Sequence, residues 1–179
     1  MKIIGVSGMP GSGKALVSEI ASEKGMMIVS MGDIIREKAK ERGETTKETA
    51  TNLRKEHGKY IVAELTVEKI KKIIEDGSDS SIIVDGIRSP HEVDLFKENF
   101  DNFIILSIFA NPSIRFERIK SRKREDDTLD YDVFVQRDQQ ELGFGLGDVI
   151  SLSDRIIINE SDLESYENKI REFLEECDI

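Results

Sequence analysis

The segment Gly8-Met-Pro-Gly-Ser-Gly-Lys14 follows an apolar run, Lys2-Ile-Ile-Gly-Val-Ser7, and precedes the amphipathic stretch Ala15-Leu-Val-Ser-Glu-Ile-Ala21. A strand, a glycine-rich turn and a helix in that order restrict the chain to an open α/β architecture, with the turn at the carboxyl end of a buried strand. Gly8, Gly11 and Gly13 can take backbone angles closed to residues with a side chain, so consecutive N–H groups can turn inward around an anion. The helix starting near Gly13 adds the positive end of its dipole. Lys14 adds a full charge that can reach between the β- and γ-phosphates of a nucleoside triphosphate. The spacing G-x-x-x-x-G-K therefore predicts that Gly8, Met9, Pro10, Gly11, Ser12, Gly13, Lys14 and Ala15 line a site for ATP. The pattern ordinarily continues with Ser or Thr, whose hydroxyl touches Mg²⁺, and Ala15 has none. Two readings stay open at this point. Either Mg²⁺ is held through the nucleotide, water and a carboxylate elsewhere, as suits an ion that keeps much of its hydration shell, or nucleotide binds with poor turnover.

At 179 residues the chain is the size of one domain with a substantial core. With 38% hydrophobic and 35% charged residues it reads as globular and soluble. It contains no apolar run of about eighteen residues and opens on a strand, so neither a membrane span nor a signal peptide is expected and a cytoplasmic location is. Cys177 stands alone, which leaves no internal disulfide or cysteine cluster, and His57 and His91 are too few for a histidine-based metal site. A net charge of −10 disfavours nucleic acid and anionic membrane as partners and leaves small nucleotides as the expected ligands. One segment runs against that balance: Arg115, Arg118, Lys120, Arg122, Lys123 and Arg124 fall within ten residues. They form either a phosphate clamp or a solvated helix face neutralised by Glu117, Glu125, Asp126 and Asp127.

Short apolar runs at Ile3–Val6, Met26–Val29, Ser81–Val84, Phe103–Phe109 and Arg155–Ile158 predict five buried strands. Helical periodicity over Gly13–Lys24, Pro90–Phe100, Pro112–Arg122 and Leu163–Glu176 places helices between them. The result is a three-layer α/β/α fold around a five-stranded parallel sheet. Two connections exceed a simple crossover. Residues 33–76 predict a helical flap with little core of its own, broken near Gly43 and Gly58, and residues 122–147 predict a short lid. The lid carries a helix over Tyr131–Leu142 and a glycine run, 143–147, able to flex. The core is then 1–32, 77–121 and 148–179 of a single domain.

Ser30-Met-Gly-Asp-Ile-Ile-Arg36 after the second strand and Asp85-Gly-Ile-Arg-Ser89 after the third lie where open α/β sheets bind ligands. Both segments resemble those of the nucleoside monophosphate kinases, adenylate kinase above all, and the likeness spans the chain. The resemblance implies that Arg36 and Arg88 grip the phosphate of an acceptor nucleotide, and that Gly32 and Asp33 shape the mouth of its pocket. It implies that Asp85 holds the Mg²⁺ hydration shell, that Arg118 and Arg122 are the paired lid arginines, and that Arg137 returns to the transferring group beside Lys14. Taken without the resemblance, Arg36 and Arg88 also read as partners of surface salt bridges. The chain departs from the adenylate kinase pattern at Leu16, where a Thr stands, and in Asp85-Gly-Ile-Arg88, which lacks a proline and brings the arginine one place nearer the aspartate. Arg118 and Arg122 likewise sit one residue closer to the preceding proline.

A narrower resemblance is to the archaeal adenylate-kinase-related P-loop proteins, through Gly8–Lys14, Ser30–Asp33, Asp85–Arg88, Glu141-Leu-Gly-Phe-Gly145 and Ile158-Asn159. The segment Ser153–Asn159 with its following acidic helix is also similar to the tail of dephospho-coenzyme A kinases. The expected activity is transfer of the ATP γ-phosphoryl group to a nucleoside monophosphate, AMP or CMP favoured. The alternatives are a regulatory module that binds ATP or AMP without transfer, and a small-molecule kinase of the dephospho-coenzyme A type. No Asn-Lys-x-Asp segment for reading guanine occurs.

Overall fold

A computed structural model of the chain describes residues 1–122 and 129–177. In chain order the elements are β1 Ile3–Ser7, α1 Ala15–Glu23, β2 Met27–Ser30, α2 Met31–Arg42, α3 Thr46–His57, α4 Ile61–Glu75, β3 Ile82–Asp85, α5 Pro90–Asn99, β4 Phe103–Phe109, α6 Pro112–Arg122, α7 Tyr131–Gly143, α8 Leu146–Ser151, β5 Arg155–Ile158 and α9 Leu163–Glu176. The five strands form one parallel sheet in the order β2-β3-β1-β4-β5, so this is the α/β fold expected of the strand pattern. Because every strand runs the same way, the loops leaving β1, β2, β3 and β4 gather at one edge, where such sheets bind ligands. Asp85 pairs in register with Val6 on one side and Ser30 on the other, which sets it beside the loop that leaves β1.

The central strands β1, β3 and β4 are covered on both faces and alternate between two cores with the period of two that a pleated chain imposes, whereas the edge strands β2 and β5, expected to be buried, leave Met27, Ile28, Ile156 and Ile158 exposed. Ile4, Val6, Ile83, Leu106 and Ile108 face one layer, completed by Val17 and Ile20 of α1 and by Tyr166, Ile170, Phe173 and Leu174 of α9. Ile3, Ile82, Val84, Phe103 and Ile105 face the other, completed by α2, α4, α5 and α8. Tyr166, Ile170, Phe173, Leu174 and Cys177 recur at helical spacing, which is why α9 buries one stripe and leaves its acidic face to water.

Local signals in the sequence set the helix ends. Thr45 and Ser89 each cap a helix with a reciprocal Glu three residues on, and Pro90 occupies the first position of α5, where its missing N–H costs nothing. Gly43 closes α2 in the left-handed conformation.

The structure departs from the sequence reading in two places. Residues 33–76 do not stand apart from the core. Val62, Ala63, Val67 and Ile70 of α4 are buried in the same cluster as Ile82, Val84 and Phe96, so α4 is a sheet-covering helix. Only Thr49 and Leu53 of α3 are buried, which leaves α3 as the outlying part of the segment. The glycine run at 143–147 is a packed turn rather than a loose loop. Gly145, at φ +95°, joins α7 to α8, and a Cβ there would lie 2.8 Å from Pro90 Cδ. An early part of the expected lid, 123–128, with Lys123, Arg124, Glu125, Asp126 and Asp127, lies outside the described residues.

Gly145→Ala is expected to lower the unfolding free energy by about 1–3 kcal/mol, because it adds both backbone strain and a clash. Gly143→Ala, whose Cβ would meet nothing within 4 Å, should be neutral or slightly stabilising. Urea unfolding of the two variants checks the contrast.

Candidate functional site

Four carbonyl oxygens of the loop between β1 and α1 accept side-chain hydrogen bonds, one from the loop's own lysine and three from distant parts of the chain. Lys14 Nζ donates to Gly8 O at 2.7 Å, Arg115 Nη1 to Pro10 O at 3.0 Å, Asn159 Nδ2 to Ser12 O at 2.8 Å and the Tyr166 hydroxyl to Gly13 O at 3.1 Å. Burial pushes the Tyr166 phenol pKa upward, so the group keeps the proton it donates. Gly8, Gly11 and Gly13 all take positive φ, at 147°, 80° and 100°. At Gly8 and Gly13 the approach is equally close: a Cβ would lie 2.4 Å from Ile108 O and from Asn159 Nδ2 respectively. A peptide whose carbonyls point outward presents its N–H groups to the concave side, the arrangement that binds phosphate oxygens.

Lys14 stands at the centre of the site's charges. Burial pushes its pKa from 10.5 down to about 8, opposed by the carboxylates of Asp85 and Glu141 and reinforced by the cations of Arg88 and Arg122. Asp85 ends β3, and its Oδ1 is buried without a hydrogen-bond partner. A buried lone pair of that kind is costly unless something occupies it. It fits a Mg²⁺ ion or a water in that ion's hydration shell, the role the resemblance gave Asp85. Ala15 is exposed at the start of α1 and supplies no ligand. Among the described residues no group of three or more His, Cys, Asp or Glu side chains could hold a metal alone. A cation here would depend on nucleotide and water, the first of the two readings that Ala15 left open.

The arginines divide. Arg88 donates from Nη1 to Glu141 Oε1 at 3.2 Å, and its side chain is 56% exposed. Arg122, at the end of α6, is near enough to bear on Lys14. Arg137 is half-buried on α7, one turn before Glu141 and on the same helical face. Arg118 instead binds the Asn159 carbonyl at 2.9 Å and its side-chain oxygen at 3.2 Å, and its Nη1 is buried without a partner. Arg36 pairs with Asp33 at 2.8 Å on the exposed first turns of α2, with Gly32 beneath its guanidinium.

Arg115, counted in the basic cluster as a clamp candidate, is committed to structure. It is 3% exposed, bonded to Asp138, Ala110 O and Pro10 O, and lies over the Phe134 ring. Asn159, Tyr166 and Glu141 were not singled out as site residues by their spacing. Asn159 and Tyr166 are about 150 residues from the loop they support; Asn159 entered only within the Ile158-Asn159 segment of the resemblance, with no role attached, and nothing local marks Tyr166.

A family model described as an AAA domain matches residues 7–132. The chain is 45% identical over 174 residues to the UPF0200 protein of Methanothermobacter thermautotrophicus, covering 97% of this chain and 90% of the relative. It is 40% identical over 181 residues to that of Methanocaldococcus jannaschii, covering 98% and 90%. Among solved structures it superposes on a shikimate kinase from Bacteroides thetaiotaomicron with a TM-score of 0.61 at 16% identity, covering 99% of both chains. A sugar kinase from Janibacter sp. HTCC2649 gives 0.68 at 12% identity, covering 98% and 95%. At these identities the structures attest to the fold alone.

The buried charge on Lys14 has a pH signature. With a folded pKa near 8 and an unfolded one near 10.5, the unfolded chain holds the extra proton between those values. The cost of burying the charge is therefore full below pH 8 and fades as pH rises to 10.5. Lys14→Met removes that cost but also the bond to Gly8 O, so any gain in stability of the ligand-free protein at pH 7 should be smaller at pH 10 by roughly 1–3 kcal/mol. Urea unfolding of both proteins at the two pH values checks it, and an equal gain at both would contradict it.

Proposed function

Since this chain belongs to the UPF0200 family and carries an AAA domain over residues 7–132, we propose that it is a nucleotide kinase. In this reading it transfers the γ-phosphoryl group of ATP to a nucleoside monophosphate, AMP or CMP favoured. The observation that carries the reading is the company Lys14 keeps. The charges of Asp85, Arg88 and Arg122 converge on it from three other segments, and the Arg88 side chain is more than half exposed. The kinase-like fold supports it as well.

An acceptor phosphate oxygen is already ionised at neutral pH, so no general base is needed, only alignment and cancellation of charge. The oxygen attacks the γ-phosphorus, the bond to the β–γ bridging oxygen breaks, and ADP leaves. The loop from Gly8 to Ala15 binds the triphosphate through backbone N–H groups, Pro10 having none to offer and Ser12 donating its own to Met9 O, and Lys14 neutralises the charge that develops between the β- and γ-phosphates. Arg88 orients the acceptor anion, with Arg36 at the pocket mouth once it exchanges Asp33 for a phosphate. Arg122 and Arg137 would meet the transferring group from the lid side, and Arg118 would bind from the flank that Asn159 occupies. Mg²⁺, when bound beside Asp85, supplies further positive charge to the β- and γ-oxygens.

Ala15 and Leu16 favour one other reading, a module that binds ATP or AMP and transfers nothing. A coupled assay of ADP formation against nucleoside monophosphates and dephospho-coenzyme A separates the possibilities. Turnover with AMP or CMP is expected, turnover with dephospho-coenzyme A alone would move the acceptor class, and ATP binding without turnover on any acceptor would favour the regulatory module. Lys14→Ala should keep the fold and cut phosphoryl transfer by a factor on the order of a hundred or more, as steady-state kinetics would report.

A further inference from the structure

Glu141 is a charge buried beside a phosphate loop, where a carboxylate is a liability unless it serves a neighbour. Its side chain is 11% exposed and comes from α7, a helix outside the loop and the two acceptor segments. Its hydrogen bond is to Arg88, Nη1 to Oε1, at 3.2 Å. The main chain at Arg88 is fixed too: the N–H groups of Arg88 and Ser89 donate to Glu92 Oε2 at 2.7 and 3.1 Å. Gly145, just past the end of α7, packs against Pro90, which starts α5 two residues after Arg88. Arg88 is thus held at its base by Glu92 and at one guanidinium edge by Glu141, while most of its side chain remains open.

We propose that Glu141 is a positioning residue for the acceptor, holding one edge of the Arg88 guanidinium so that its remaining donors meet the acceptor's phosphate. The proposal rests on the kinase reading and adds that acceptor recognition depends on α7. An exposed arginine samples many rotamers and must surrender that freedom to bind. A carboxylate on one edge removes the freedom in advance, and because the guanidinium is a rigid planar fork, fixing one edge aims the rest. The opposite role, a buried negative charge that repels the acceptor anion, predicts the opposite sign.

Calorimetric titration separates them without requiring turnover. Wild type, Glu141→Ala, Glu141→Gln, Arg88→Ala and the Glu141→Ala/Arg88→Ala double variant are titrated with a non-hydrolysable ATP analogue and Mg²⁺, then with AMP and CMP. Glu141→Ala is expected to weaken monophosphate binding about tenfold and to change binding of the ATP analogue less than about threefold. Glu141→Gln, which keeps the shape and an accepting oxygen, should fall between it and wild type, and it carries the test if the alanine variant does not fold. In the Arg88→Ala background the loss of Glu141 should add less than about twofold, because its effect runs through Arg88. Tighter monophosphate binding in Glu141→Gln than in wild type, additive losses in the double variant, or parallel loss of both ligands would each overturn the proposal while leaving the kinase reading intact. Wild type that binds the ATP analogue but neither monophosphate would bring down the kinase reading and the proposal together.

Discussion

The phosphate loop can present its N–H groups inward only because its carbonyl oxygens have somewhere else to go. Carbonyls at the edge of a buried sheet must be hydrogen-bonded or the fold carries their full desolvation cost. Here the donors are Lys14, Arg115, Asn159 and Tyr166, drawn from the loop itself, α6, the end of β5 and α9. The requirement reaches across the molecule. It fixes where α6 meets the loop, why Asn159 follows β5 directly, and why α9 spends a tyrosine hydroxyl on a backbone oxygen.

Electrostatics organises the same site at longer range. Lys14 is half-buried, and desolvation makes its charge costly; Asp85 and Glu141 temper that cost while Arg88 and Arg122 add to it. A site in that state favours an incoming polyanion, which relieves the crowding of cations and rewards the charge on Lys14. Asp85 adds an unpartnered buried oxygen, the complement of a cation rather than of a phosphate.

Five strands and most of the helices were legible from local patterning, because a continuous apolar run such as that of β4, buried at Phe103 and from Ile105 to Ile108, suits a strand covered on both faces, and a stripe such as that of α9 can face only one way. The phosphate loop was legible for the same reason: its glycines and its lysine act within a few residues of one another. The segment 33–76 misled, since its charge and glycine breaks read as an outlying flap. The spacing of Val62, Ala63, Val67 and Ile70 joins α4 to the sheet all the same. Arg115 misled in the other direction, its charge counted toward a clamp when Asp138 and two backbone carbonyls consume it.

The amino-acid order by itself determined the α/β class, the strand count, the glycine-rich turn between β1 and α1 and the location of Asp85 at a strand end, because each follows from interactions between near neighbours in the chain. Only the tertiary structure decided that Asn159 and Tyr166 hold the loop, that Arg118 turns to Asn159, and that Glu141 holds Arg88. Those pairings join residues some 40 to 150 positions apart. A charge or hydroxyl carries no local mark of its distant partner; only the packing of helices onto the sheet brings the two within hydrogen-bonding reach.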